Sequence, residues 1–237
     1  MIVNPIPTRR ALLVWQRPLD EHGRRDRCAV AELIQEADGV NFRYLGREQL
    51  DVAAEAGFSG YPGLPIASGD LSRIASDVLM RRLPPRNRAD FSDLLARFGL
   101  PTDHTYSDLS LLAYTGARLT SDSFSVCETF DGFEGTFSYV FDVAGSCHFV
   151  DYNELDLGEA IYLEHEPTNP VDSNAIRMAL EDGRTVGYVN RLQAPTVRSW
   201  LVNGSVDATV FRVNGRLQYP RLFIRANIET NTRAAAA

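Results

Sequence analysis

Leu163-Glu-His-Glu-Pro-Thr-Asn-Pro-Val-Asp-Ser-Asn-Ala-Ile176 and, shortly after it, Val186-Gly-Tyr-Val-Asn-Arg191 are the stretches around which the rest of the chain reads. An apolar strand runs into a loop where Pro167 and Pro170 remove two backbone donors and fix φ, so the loop is expected to be stiff. Thr168, Asn169, Asp172, Ser173 and Asn174 supply short polar side chains that bond back to nearby amides, the way such residues hold turns. Ala175 to Leu180 resumes as a strand, Asp182-Gly183 turns it, and Thr185 to Val189 returns antiparallel. The expectation is a hairpin topped by a rigid polar loop.

This order resembles the core motif of HIRAN domains: an apolar strand, Glu-Pro-x-Asn-Pro-x-Asp-x-Asn-Ala-Ile, a hairpin, and a Gly-Tyr-apolar-x-Arg step into a helix. The resemblance extends over roughly Ser138 to Ile228, about two fifths of the chain. It implies a small β-barrel-like (HIRAN/OB-like) domain with one or two helices. It also implies capture of the 3′ end of single-stranded DNA, with Asp172 accepting from the terminal hydroxyl and Asn169 orienting the loop or touching the last nucleotide. Turn capping through backbone bonds is the competing explanation of both side chains. Two positions depart from the family pattern: Val171 replaces a tyrosine, and Asp142 stands where a second aromatic is expected.

Composition bounds the rest. With 237 residues the chain has room for one or two domains with a real core. No run reaches the length of a membrane span and Met1 to Arg10 has no signal-peptide core, so a cytoplasmic protein is expected. Cys28, Cys127 and Cys147 lie far apart without paired metal spacing and read as reduced, mostly buried thiols; neither a metal nor a cofactor is expected. All 24 basic side chains are Arg and the net charge is −7, which argues against indiscriminate coating of nucleic acid. The distribution is uneven: Ser138 to Gly183 holds ten acidic residues against Arg177 alone, whereas Arg184 to Ala237 holds eight Arg against Asp207 and Glu229. An acidic chain can carry one basic face.

Taken in order, Ala11 to Gln16, Cys28 to Gln35 and Val40 to Leu45 read as strands, and Arg47 to Ala56 as a helix stopped by Gly57. Helices follow over Ser72 to Arg82, Arg88 to Phe98, and from Ser107 through Leu112 to Gly116. This region, about Leu12 to Arg118, resembles the N-terminal subdomain of HipA-type proteins through its Phe-Arg-Tyr, Gly-Phe, Pro-Gly-Leu-Pro and Arg-Leu-Pro-Pro-Arg segments. The catalytic Asp and metal-binding motif of a kinase are not seen, so no phosphotransfer is carried over. Ser121 to Glu134 is polar and reads as a linker. Beyond it Phe137 to Phe141 and His148 to Asp151 read as strands, Leu192 to Val202 as a helix, and Val206 to Val213 with Leu217 to Ala226 as a hairpin turning at Asn214-Gly215. The predicted organisation is α+β: residues 1–120 a small sheet with helices, 121–134 a linker, 135–230 the barrel-like domain, and 231–237 a disordered tail.

Candidate nucleic-acid contacts are Asn169, Asp172, Tyr188, Arg191, Arg212, Arg216, Arg221 and Arg225. Guanidinium groups meet two phosphate oxygens at once, and Tyr188 either stacks on a base or faces the core. Arg221 and Arg225 share one strand face by alternation. Arg81, Arg82, Arg86 and Arg88 form a second cluster, read as a solvated helix end. His22, His104, His148 and His165 are isolated, the Glu164 and Glu166 pair reads as exposed, and no nucleophile or phosphate-loop motif occurs, so a non-enzyme is expected. The function expected is a non-catalytic module for single-stranded or 3′-end-containing DNA, in repair or defence. The alternative is a protein-interaction or antitoxin-like regulatory partner that uses the HipA-like half.

Overall fold

Arg10–Gln16 (β1) lies between Arg27–Glu36 (β2) and Phe124–Glu128 (β4) in an antiparallel sheet of order β3-β2-β1-β4, where Gly39–Tyr44 is β3. The protein is described by a computed structural model over residues 1–18, 27–66, 71–131, 133–216 and 219–230. The chain divides into two compact units, one formed by Pro7–Phe98 with residues from Thr102 to the end of β4 and beyond, the other by Met1–Ile6, Gly99–Pro101 and the chain from Phe133 onward. Both are mixed α and β, so the fold is α+β.

In the first unit the sheet carries Arg47–Glu55 (α1), Ser72–Met80 (α2), Phe91–Arg97 (α3) and Asp108–Thr115 (α4). Ser107 caps α4 by accepting from the Ser110 amide, and Gly116 ends it at φ 69°, a left-handed conformation that favours glycine. Leu109 to Thr115 are all buried, so packing rather than amphipathicity holds this helix.

Two expectations fail here. The polar stretch 121–134 is no simple linker, because Phe124 to Glu128 pairs with β1 from Trp15↔Phe124 to Ala11↔Glu128. Intervening Ser and Thr residues mask the burial of Phe124, Val126, Cys127 and Glu128. Arg82 is no solvated helix end. Its guanidinium is buried, donating to the Ala117 and Phe124 carbonyls, the Tyr61 hydroxyl and both Asp122 oxygens. Full satisfaction of that kind is what makes a buried guanidinium tolerable.

The second unit is one six-stranded antiparallel sheet of order β5-β10-β9-β6-β7-β8, made of Gly135–Asp142 (β5), Ala160–His165 (β6), Ile176–Ala179 (β7), Thr185–Tyr188 (β8), Gly204–Arg216 (β9) and Tyr219–Thr230 (β10). It curls into a half-barrel, and its two ends meet where Ala144 and Tyr188 exchange backbone hydrogen bonds of 2.8 and 3.0 Å. Gly187, at φ 142°, permits that closure: a Cβ there would stand 2.5 Å from Val143 Cγ1 and 2.7 Å from the Ala144 carbonyl oxygen. Leu222, Ile224, Ala226 and Ile228 face inward from β10, opposite Val210 and Ala208 of β9. Ala194–Asn203 (α5) begins with Pro195 in its first turn and buries Ala194, Val197 and Trp200.

The Asn214-Gly215 turn is not formed. Asn214 pairs with Arg221 and Gly215 with Pro220, so the chain reverses beyond Arg216. A two-residue turn at 214–215 would set Ala208 and Val206 against Arg221 and Phe223, whereas the observed register sets them against Ala226 and Ile228. The apolar pattern outweighs the local turn preference. His148 to Asp151 is likewise not a strand: Ser146–His148 and Tyr152–Glu154 are single 3-10 turns. Left-handed Gly145 and hydrogen bonding of Asp151 to the Asn153 amide favour those turns over extension. The expected tail at 231–237 lies outside the described residues. No helix among the described residues is long and apolar enough to cross a membrane.

Candidate nucleic-acid interface

The loop between β6 and β7 is built from its own side chains. Glu166 N donates to the Ala175 carbonyl (2.9 Å) and Asn169 N to that of Glu166 (3.0 Å), which continues the hairpin into the loop. Asn169 Oδ1 then accepts from the amides of Val171 and Asp172, while its Nδ2 donates to Glu166 Oε2 at 2.7 Å. Every polar atom of the Asn169 side chain is thereby engaged in fixing the turn. Asp172 Oδ1 accepts from the Asn174 amide (2.9 Å), and His165 Nε2 lies 2.8 Å from the Ser173 carbonyl. Val171 projects from the tip with 83% of its surface exposed.

Three elements converge on this loop. Tyr188, at the end of β8, sends its hydroxyl to Glu166 Oε2 (3.1 Å); burial, then this hydrogen bond, raise its phenol pKa. Tyr188 is half-buried on the outer face, beside Arg177 of β7, and does not enter the core. Arg191, which follows β8, is exposed over 75% of its side chain and reaches Asp172 Oδ2 at 3.4 Å. Arg198, on the exposed side of α5, donates to Asn174 Oδ1 at 3.3 Å. Phe149, just after the first 3-10 turn, packs its ring 5.6 Å from that of Tyr188 at 64° and remains 47% exposed.

The structure thus brings Asn169, Asp172, Tyr188 and Arg191 together, and adds Arg198 and Phe149, which the sequence reading missed. The place of Arg198 on the polar side of the predicted helix over Leu192 to Val202 was the available signal for the first. Phe149 carried none, because its place depends on the Ala144–Tyr188 closure.

The basic strands are arranged differently from the expectation. Arg221 pairs with Asp142 at 3.0 Å, and both it and Arg212 lie over the ring of buried Phe223, at 4.8 and 4.9 Å from its centroid. Asp142 therefore serves as a partner for Arg221 at the position where an aromatic was expected. Arg225 has a buried Nε without a hydrogen-bond partner among the described residues. It shares the outer face with Arg221, and both are half-buried. The side chain of Arg216 lies outside the described residues.

Acid–base chemistry finds little purchase at the loop. Glu164 is paired with Arg177, and Glu166 accepts from Tyr188 and Asn169. Among the described residues no three potential metal ligands come together. Of the cysteines, Cys127 is buried, with burial pushing its thiol up to about 12, while Cys147 is exposed, contrary to the expectation of mostly buried thiols.

Among known families, the model of the HIRAN domain matches residues 136–231. Two solved structures are similar to this segment. The HIRAN domain of human HLTF has 19% identity and a TM-score of 0.34, covering 41% of this chain and 82% of that one. A protein from Lactobacillus plantarum has 21% identity and a TM-score of 0.31, covering 40% of this chain and all of the other. No protein of curated function matches the chain. The match to the HIRAN model supports a nucleic-acid-binding role.

Proposed function

We propose that this protein is a non-catalytic recognition module that binds single-stranded DNA, or DNA ends that expose a single strand, in repair or in defence against foreign DNA. The observation that supports this reading most is the pre-ordered HIRAN loop with Arg191 and Arg198 held at its rim by contacts to Asp172 and Asn174. Phosphate oxygens can replace either contact without unfolding anything, because both arginines lie on the open surface. A stiff loop also avoids the entropic cost of ordering on binding.

The test is fluorescence anisotropy of labelled single-stranded and duplex oligonucleotides at two salt concentrations. Single strands should bind more tightly than duplex, with affinity falling as salt rises. A second reading makes the protein an interaction or regulatory partner, with the HipA-like half docking on another chain. The net charge of −7 favours it. Undetectable binding of any single strand at low salt would decide for that second reading.

A further inference from the structure

Phe149 is a large apolar side chain left half open beside Tyr188. It follows Gly145, whose left-handed φ of 72° makes the turn, and its amide donates to the Ser146 carbonyl at 3.1 Å. Ser146 Oγ lies 2.8 Å from the Tyr152 hydroxyl, which braces the same turn from its far side. One side of the Phe149 ring rests on Tyr188, and Tyr188 is tied through Glu166 and Asn169 to the loop. The ring is therefore positioned rather than free. An exposed aromatic ring packed on the tyrosine that braces the loop, whose rim carries two exposed guanidiniums, has the composition of a base-stacking platform joined to a phosphate site.

The loop itself offers a strand terminus no stacking surface. Asp172 keeps Oδ1 on the Asn174 amide and turns Oδ2 to Arg191, so a terminal hydroxyl would share that oxygen with the guanidinium, and the Asn169 oxygen and amide nitrogen are both engaged within the loop. Val171 offers the tip no flat surface. Building on the proposed single-strand binding, we infer that recognition here centres on an unstacked base lying against Phe149, with backbone phosphate on Arg191 and Arg198, and is indifferent to whether the 3′ hydroxyl is free. The ligand class is single-stranded nucleic acid with accessible bases, including internal single-stranded stretches.

The experiment measures dissociation constants for a free 3′-hydroxyl oligonucleotide, its 3′-phosphorylated form and a circular strand of the same sequence. The full chain is compared with Phe149→Ala, Phe149→Leu and Phe149→Trp. Wild type should bind all three within about twofold. Phe149→Ala and Phe149→Leu should weaken each by about tenfold, the range of one lost stacking contact, while Phe149→Trp retains affinity. An oligonucleotide lacking bases should respond to none of the substitutions. Leu keeps apolar bulk without a π face, so a fold defect in the Ala variant does not obscure the result.

Affinity unchanged in Phe149→Leu, or a free-end preference above fivefold that Asp172→Asn abolishes, overturns the inference and leaves single-strand binding standing. Failure of wild type to bind any single strand overturns both.

Discussion

Asp172 and Arg191 stand face to face at the rim of the β6–β7 loop, carboxylate Oδ2 to guanidinium Nε at 3.4 Å, while the other carboxylate oxygen holds the Asn174 amide. One side chain thus serves two purposes, and the two are separable. Arg191 is exposed over 75% of its side chain, so water screens the ion pair and its contribution lies within about 0–1 kcal/mol. The bond to a backbone amide is worth about 1 kcal/mol, as capping interactions of this kind are. Asp172→Ala should therefore lower stability by about 1–2 kcal/mol, whereas Asp172→Asn, which retains Oδ1, should lower it by less than about 1 kcal/mol. Urea denaturation of both variants measures this, and equal stability of Asp172→Ala and wild type would show that the loop does not depend on the bond.

Gly187 should not tolerate a side chain. A Cβ would fall 2.5 Å from Val143 Cγ1 and 2.7 Å from the Ala144 carbonyl oxygen, at the bridge that joins the two ends of the sheet. Gly183 differs: its φ of 85° disfavours alanine, but nothing lies within 4 Å of the place a methyl group would take. We expect Gly187→Ala to lower stability by more than about 3 kcal/mol and Gly183→Ala by about 1 kcal/mol. Thermal melting of the pair, with wild-type-like melting of Gly187→Ala as the contrary outcome, tests whether the Ala144–Tyr188 closure matters.

These elements also show where the sequence was legible. Local chemistry carried the α4 boundaries, because Ser107 and Gly116 cap it by rules that operate within a few residues. It carried the loop too, since Asn169 and Asp172 bond to amides two or three residues away. What it did not carry were features fixed by distant partners. The β9–β10 register depends on which apolar rows meet across the sheet, and it moved the reversal past Asn214-Gly215. Arg82 and Phe124 are buried by each other's neighbourhood, with the Phe124 carbonyl accepting from the guanidinium. Phe149 reached the site only through a bridge between residues 44 positions apart in sequence, Ala144 and Tyr188.

Glu128 should make stability depend on pH. Burial raises its carboxyl pKa to about 7, although Thr8 and the amides of Thr129 and Phe130 pull in the opposite direction. A folded-state pKa above the unfolded value means that the fold favours the protonated acid. Its contribution is fully present below the ordinary carboxylate pKa of 4.5 and is lost as pH rises to about 7, a change of order 3 kcal/mol at most. Glu128→Gln, which is neutral throughout, should remove most of that slope between pH 4.5 and 7. Parallel pH profiles of stability for wild type and Glu128→Gln would show that the carboxyl is not titrating there.

The last prediction separates two sets of arginines. Arg221 is paired with Asp142 and, with Arg212, covers the ring of Phe223, so its charge is already balanced within the fold. Arg191 and Arg198 sit at the loop rim, held by contacts of 3.4 and 3.3 Å to Asp172 and Asn174. If single-stranded DNA binds at the loop, phosphate displaces those weak contacts and releases counterions, and the dependence of log K on log salt records how many phosphates are met. Arg191→Gln and Arg198→Gln should each weaken binding to every sequence alike and flatten that slope by about 0.7, the value for one phosphate contact on a single strand. Arg221→Gln should leave the slope unchanged and instead lower stability, by about 1 kcal/mol, because it loses a half-buried ion pair and a cation–π contact. Salt titrations of the three variants, alongside their urea midpoints, give both readouts from the same preparations. A slope that flattens in Arg221→Gln but not in Arg191→Gln or Arg198→Gln would move the binding surface from the loop to the outer face of β9 and β10.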